Sequence, residues 1–141
     1  MGQYDKTANV SESRNSFREE TGRYEANRIL TDAIGDLSFC EKLKIWRRRE
    51  GLSQKQAAEK LKVSKNSYYD LEKSNTSMTV QSPYIGSLYS HEMCYILRKR
   101  KSLTLKECAE NIGISRYWCN QMELGKVSSG RLVQYWIKNE R

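Results

Sequence analysis

Residues 52–73, LSQKQAAEKLKVSKNSYYDLEK, and residues 103–124, LTLKECAENIGISRYWCNQMEL, state one pattern twice, 51 positions apart. Extended to Leu43–Ser74 and Cys94–Gly125, the comparison needs no gap and gives nine identities in 32 positions. Ser53/Thr104, Leu61/Ile112, Val63/Ile114, Lys65/Arg116 and Leu71/Met122 are conservative exchanges. Ungapped self-similarity of this kind points to a duplicated structural unit.

Each copy reads as three helices. The first spans about 40–50, with Leu43, Ile45 and Trp46 on its apolar stripe. Its counterpart spans about 92–101, with Cys94, Ile96 and Leu97. Ser53 and Thr104 then stand as N-caps, where a hydroxyl accepts from first-turn N–H groups. The second helix runs through Ala57, Ala58 and Leu61, or Cys108, Ala109 and Ile112. Ser64 and Ser115 cap a third helix that buries Tyr68 and Leu71, or Cys119 and Met122. Two short capped helices across a tight turn form a helix-turn-helix.

Composition narrows the partners. The 141 residues are 38% hydrophobic and 30% charged, enough for one ordinary domain or two small ones. No apolar run is long enough to span a bilayer. MGQYDKTANV lacks the blocks of a signal peptide and the myristoylation pattern, so the expected location is the cytoplasm. Cys40, Cys94, Cys108 and Cys119 lack the short spacings of a zinc site, and His91 is the sole histidine, so they read as small buried thiols. No metal or cofactor is expected. The net charge of +8 is unevenly spread: −2 over residues 1–37, +5 over 38–75, −1 over 76–93 and +6 over 94–141. The repeated blocks hold the positive charge, and a polyanionic partner follows. An enzyme is not expected, because there is no phosphate-cradling glycine loop and no base beside a nucleophile.

The two copies resemble the helix-turn-helix of the phage-repressor family (lambda repressor and Cro-like proteins, the xenobiotic-response-element type). Gly113 in the turn and Gly125 after the last helix fit that pattern, where the first copy has Lys62 and Ser74. Arg47 with Glu72, and Arg98 with Glu123, match a family pair bridging the first and third helices. The expected fold is therefore mainly α, with two tandem helix-turn-helix units forming an internal pseudo-dimer. LTLKECAENIGISRYW is similar also to excisionase and MerR-type winged helices. That resemblance implies an α+β alternative, with short antiparallel strands at 76–90 and 126–137. The chain divides into a polar, partly disordered segment 1–37, a first unit 38–75, a linker or wing 76–91 and a second unit 92–141. In the first segment Tyr24, Ile29, Leu30, Ala33 and Ile34 suggest a helix near 23–34 that packs on the first unit or engages a partner or second copy.

The third helix of such a unit enters the DNA major groove amino terminus first. Base-reading candidates are Lys65, Asn66, Ser67 and Tyr69, with Arg116, Tyr117, Trp118, Asn120 and Gln121 in the second unit. Lysine and arginine suit guanine, and asparagine and glutamine suit adenine. Phosphate candidates are Lys44, Arg48, Arg49, Lys55, Lys73, Lys99, Arg100, Lys101, Lys106 and Lys126. The resemblance implies that Gln54 touches phosphate and braces the reading helix; its counterpart, Leu105, cannot hydrogen-bond. Because the reading residues differ, the expected target is a non-palindromic duplex with half-sites about one turn apart. The leading function is a transcriptional regulator. Alternatives are an accessory DNA-binding protein of a mobile element, in conjugative transfer or excision, and a protein-binding inhibitor using Tyr69, Tyr117 and Trp118.

Overall fold

The computed structural model describes residues 25–73 and 83–140, and every regular element within them is a helix. A helix over 25–34 (α1) precedes α2 (Phe39–Glu50), α3 (Gln54–Leu61) and α4 (Lys65–Lys73). A non-helical run at 83–89 leads to α5 (Ser90–Arg100), α6 (Leu105–Ile112), α7 (Arg116–Glu123) and α8 (Gly130–Glu140).

Local chemistry repeats with the sequence. Ser53 Oγ accepts from Gln56 N at 3.1 Å while Gln56 Oε1 accepts from Ser53 N at 2.9 Å. Thr104 and Glu107 make the same reciprocal cap at 3.1 and 2.9 Å. Such boxes satisfy two otherwise orphaned donors at each helix start. The left-handed residues are distributed differently. After α2 the position is Gly51 (φ 66°), but after α5 it is Ser102 (φ 57°). In the turn between the next two helices the order reverses, with Lys62 (φ 60°) between α3 and α4 and Gly113 (φ 86°) between α6 and α7. Each unit thus holds one side chain where glycine costs about 1 kcal/mol less.

Two cores form. The smaller unites Leu43, Ala57, Ala58, Tyr68 and Leu71, with Trp46 and Leu61 packed at its edge. The larger gathers Cys94, Ile96 and Leu97 of α5, Cys108 and Ala109 of α6, and Cys119 of α7. Helix α8 adds Leu132, Val133, Trp136 and Ile137 to it. Those four fall at i, i+1, i+4 and i+5, one stripe of an α-helix. The α+β alternative is therefore overturned at 126–137, where α8 replaces a strand. No strand occurs at 83–90 either, and the rest of the proposed 76–90 wing lies outside the described residues.

Helix α1 corrects a second expectation. Leu30 and Ile34 enter the larger core beside Met93, rather than completing the first unit. Thr31 Oγ1 also lies 3.5 Å from Met93 Sδ. Tyr24 lies outside the described residues. Helix α2 has a divided role, because Leu43 belongs to the smaller core and Ile45 to the larger.

The contacts between the two helix trios follow the 51-residue offset. Arg49 Nε and Nη2 each lie 2.7 Å from the Glu92 carboxylate. Arg49 also donates from Nη1 to Ile85 O and, at 2.8 Å, from Nη2 to Ser87 O. Arg100 does the same in the other direction, meeting Glu41 at 2.7 and 2.9 Å, Ile34 O at 2.6 Å and Asp36 O at 3.1 Å. Every one of these residues is its counterpart's number plus or minus 51. The repeat therefore reaches back beyond Leu43, to IGDLS at 34–38 and IGSLY at 85–89, with Gly35 and Gly86 at φ 62° and 64°.

Candidate nucleic-acid interface

Helices α4 and α7 are held by their buried faces and present the remainder to solvent. Ser64 Oγ accepts from Ser67 N and Ser115 Oγ from Trp118 N, both at 3.1 Å, fixing where each helix begins. Tyr68, Leu71 and Glu72 are buried on α4, as are Cys119 and Glu123 on α7. The opposite face exposes Lys65, Asn66, Ser67 and Tyr69 on α4, and Arg116, Tyr117 and Trp118 on α7, while Asn120 and Gln121 are half-buried. Tyr117 and Trp118 meet edge to face with centroids 5.6 Å apart. Lys73, a phosphate candidate, has its Nζ 4.3 Å from the Tyr69 ring centre.

An internal ion pair anchors each of α4 and α7. Arg47 Nε lies 2.7 Å from Glu72 Oε2, and its Nη1 donates to Leu52 O at 3.3 Å. Arg98 Nε lies 2.6 Å from Glu123 Oε2, and its Nη1 donates to Leu103 O at 2.9 Å. Each arginine thus ties the first helix of its trio to the third and to the start of the second. Gln54 Nε2 joins the first cluster by donating to Glu72 Oε1 at 3.2 Å. Leu105 in the same place packs against the larger core instead.

Burial opposes the Glu72 charge, but hydrogen bonds from Arg47 and Gln54 outweigh it and hold the carboxyl below its ordinary value. Burial and the adjacent carboxylate push the Tyr68 phenol up. Its hydroxyl is close enough to feel that charge yet makes no hydrogen bond of good geometry, so the coupling is electrostatic. Burial likewise raises the core thiols, Cys108 to about 12, which keeps them protonated and unreactive.

The phosphate candidates separate into three groups. Lys55, Lys106 and Lys126 are exposed and take part in no salt bridge among the described residues; Lys101 is also exposed. Lys44 is half-buried, and Lys99 is exposed but partly desolvated, its pKa lowered by burial and by nearby Arg98 and Lys44. Three others work inside the molecule. Arg49 and Arg100 hold Glu92 and Glu41. Arg48 lies 3.8 Å over the Tyr95 ring and donates to Glu123 O at 3.0 Å, at the last turn of α7. Burial lowers the Arg48 pKa. A run of arginines looked like a phosphate strip because its carboxylate partners sit 43 and 59 residues away in the chain. The paired IGxL segments were the available signal that the repeat carried these partners as well.

Among the described residues no helix is long and apolar enough to cross a membrane. Residues 43–81 match the helix-turn-helix family model, which takes in α3 and α4; the second trio lies outside that match. No curated protein and no solved structure gives a significant match to the chain. Helices α3 and α4, with their capped starts and the turn at Lys62, are thus the part of the molecule for which a helix-turn-helix relationship stands.

Proposed function

We propose that this chain is a sequence-specific double-stranded DNA-binding protein that regulates transcription, with two unlike reading helices arranged as an internal pseudo-dimer. The observation that carries this reading is the pair of solvent-facing helix starts, Lys65–Ser67 and Arg116–Trp118, each clamped from behind by an Arg–Glu pair. The helix-turn-helix match supports the role directly for the first unit. Extension to the second unit rests on the repeated caps, the repeated pair and the shared 51-residue offset.

In each half Lys65 or Arg116 would read guanine, and Asn66, or Asn120 and Gln121, adenine. Tyr117 and Trp118 supply apolar surface for thymine methyl groups. Lys55, Lys101, Lys106 and Lys126 would contact phosphate and set register. No step of this role requires a cofactor, and we read the chain as a binding protein rather than an enzyme.

Gel shifts of the full chain on a randomised duplex pool test the proposal. Enrichment of one sequence is expected, with affinity falling by a log–log salt slope of about 0.9 per phosphate neutralised. Absence of duplex binding at low salt would favour a second reading, a protein-binding module, for which the exposed Tyr117–Trp118 pair is the specific observation. Mapping the enriched site to a promoter or to a recombination end separates a regulator from an accessory factor.

A further inference from the structure

Taking DNA binding as proposed above, we infer that the protein recognises two dissimilar half-sites in inverted orientation, at one spacing fixed by the Arg49–Glu92 and Arg100–Glu41 clasp. Tandem units can stack by translation, so that one surface of each meets a different surface of the next. Stacked in that way, the units would place their reading helices head to tail, in direct-repeat order. Reciprocal contacts, in which i meets j and the counterpart of i meets the counterpart of j, arise from a two-fold axis.

The clasp is reciprocal. Arg49 of the first trio holds Glu92 and the carbonyls of Ile85 and Ser87 in the second. Arg100 of the second holds Glu41 and the carbonyls of Ile34 and Asp36 beside the first. Under this symmetry the parts of α4 and α7 that lie across the axis run in opposed directions, and the two helices would read opposite strands. The half-sites are then inverted in order yet unlike in sequence, because Lys65, Asn66 and Ser67 are replaced by Arg116, Tyr117 and Trp118.

The clasp is also built to be stiff. Each arginine meets its carboxylate through two parallel N–H donors, a geometry that fixes direction as well as distance. Glu92 is 5% exposed and Glu41 14%, so solvent competes weakly for either. Each carboxylate also accepts the backbone N–H that opens its own helix, from Ser38 to Glu41 and from Tyr89 to Glu92, both at 2.9 Å. The four side chains therefore join two helix starts and two helix ends. Arg49, Arg100, Glu41 and Glu92 are positioning residues that set the gap between the reading helices without touching DNA.

The test uses the full chain. Selection from a randomised duplex pool supplies the two half-sites, which are then joined in inverted, direct and everted order with spacers varied by one base pair. One base pair shifts a half-site by about 3.4 Å along the axis and about a tenth of a turn around it. The expected result is inverted order at a single spacing, with a loss of about tenfold for a one-base-pair change. Arg49→Ala with Arg100→Ala should shrink that loss to about threefold, while affinity for an isolated half-site changes less than about twofold. Glu41→Gln with Glu92→Gln keeps the cap acceptors and removes the charge, so it carries the same test if the arginine variant fails to fold.

A preference for direct order, indifference to order, or a spacing penalty unchanged in a folded clasp variant would overturn the inference while leaving DNA binding intact. Failure to bind any duplex would overturn both.

Discussion

The two helix trios place the same arginine and glutamate in the same places and surround them differently. In the first, Arg47 is 24% exposed and Glu72 4%, and Gln54 supplies an extra donor from the edge. In the second, Arg98 is 7% exposed and Glu123 1%, with α8 completing the larger core and no polar helper at Leu105. One sequence device thus serves as a partly wet brace in one half and as a dry keystone in the other. Repetition of residues carries over the geometry of a contact, while its energy depends on what the rest of the chain builds around it.

The largest effect should come from dividing these pairs. Arg98→Ala leaves Glu123 buried and unpaired and should cost about 3–5 kcal/mol of unfolding free energy. Arg47→Ala, at a site that water and Gln54 reach, should cost about 1.5–3 kcal/mol. Urea unfolding of the two variants makes the comparison, and equal losses would remove the distinction between wet and dry pairs. Gln54→Ala should be milder, about 1.5 kcal/mol, because it removes one hydrogen bond to a charged acceptor. A loss as large as that of Arg47→Ala would make Gln54 a full member of the brace.

Acid should loosen the molecule next. The Glu72, Glu92 and Glu41 carboxyls all lie below their ordinary value of 4.5; burial opposes this in each, and hydrogen bonds from Arg47, Arg49 and Arg100 respectively outweigh it. A carboxyl depressed in the folded state contributes stability that is complete above its unfolded value and is lost as pH falls through the folded one. Melting temperature should therefore hold from neutrality to about pH 4.5 and decline below it. Glu92→Gln and Glu72→Gln, melted in parallel, should each flatten part of that decline. An unchanged profile in both would mean that other groups drive the acid sensitivity.

The smallest effect concerns the turns. Lys62→Gly and Ser102→Gly should each stabilise by about 0.5–1 kcal/mol, because both positions have positive φ. Gly51→Ala and Gly113→Ala should destabilise by a similar amount, although an added Cβ would meet nothing within 4 Å at either site. Thermal melts of the four variants test this, and a stabilising Gly113→Ala would contradict the assignment of strain.

Much of the fold was legible because its signals are local. Ser53, Thr104, Ser64 and Ser115 announced helix starts, and the 51-residue offset announced that the caps and the Arg–Glu pairs would recur. The Arg47–Glu72 and Arg98–Glu123 pairs came from a resemblance and needed only a short reach in space. What escaped was information held between distant segments. Period alone left RLVQYW open to strand and helix, and burial of Trp136 with Leu132 decides for helix. The stripe on α1 showed that it would be covered, but an apolar stripe does not say by which core. Arg49 and Arg100 stand in basic runs, and nothing near them in sequence shows that each has a carboxylate waiting in the other half. The exposure of Lys65–Ser67, Tyr69 and Arg116–Trp118 was legible for a simpler reason: once Tyr68, Leu71 and Cys119 turn in, the opposite face of each helix turns out, although Asn120 and Gln121 stay half-buried.

Helix α2 sends Leu43 into one interior and Ile45 into the other. A mutation there is judged by two neighbourhoods at once, so α2 should be the stretch with the narrowest room for sequence drift. It also means the halves have no clean cutting line: a fragment ending before α5 would carry Ile45 as a bare apolar patch and be prone to clump. Ile45 thus makes the two halves depend on each other for solubility.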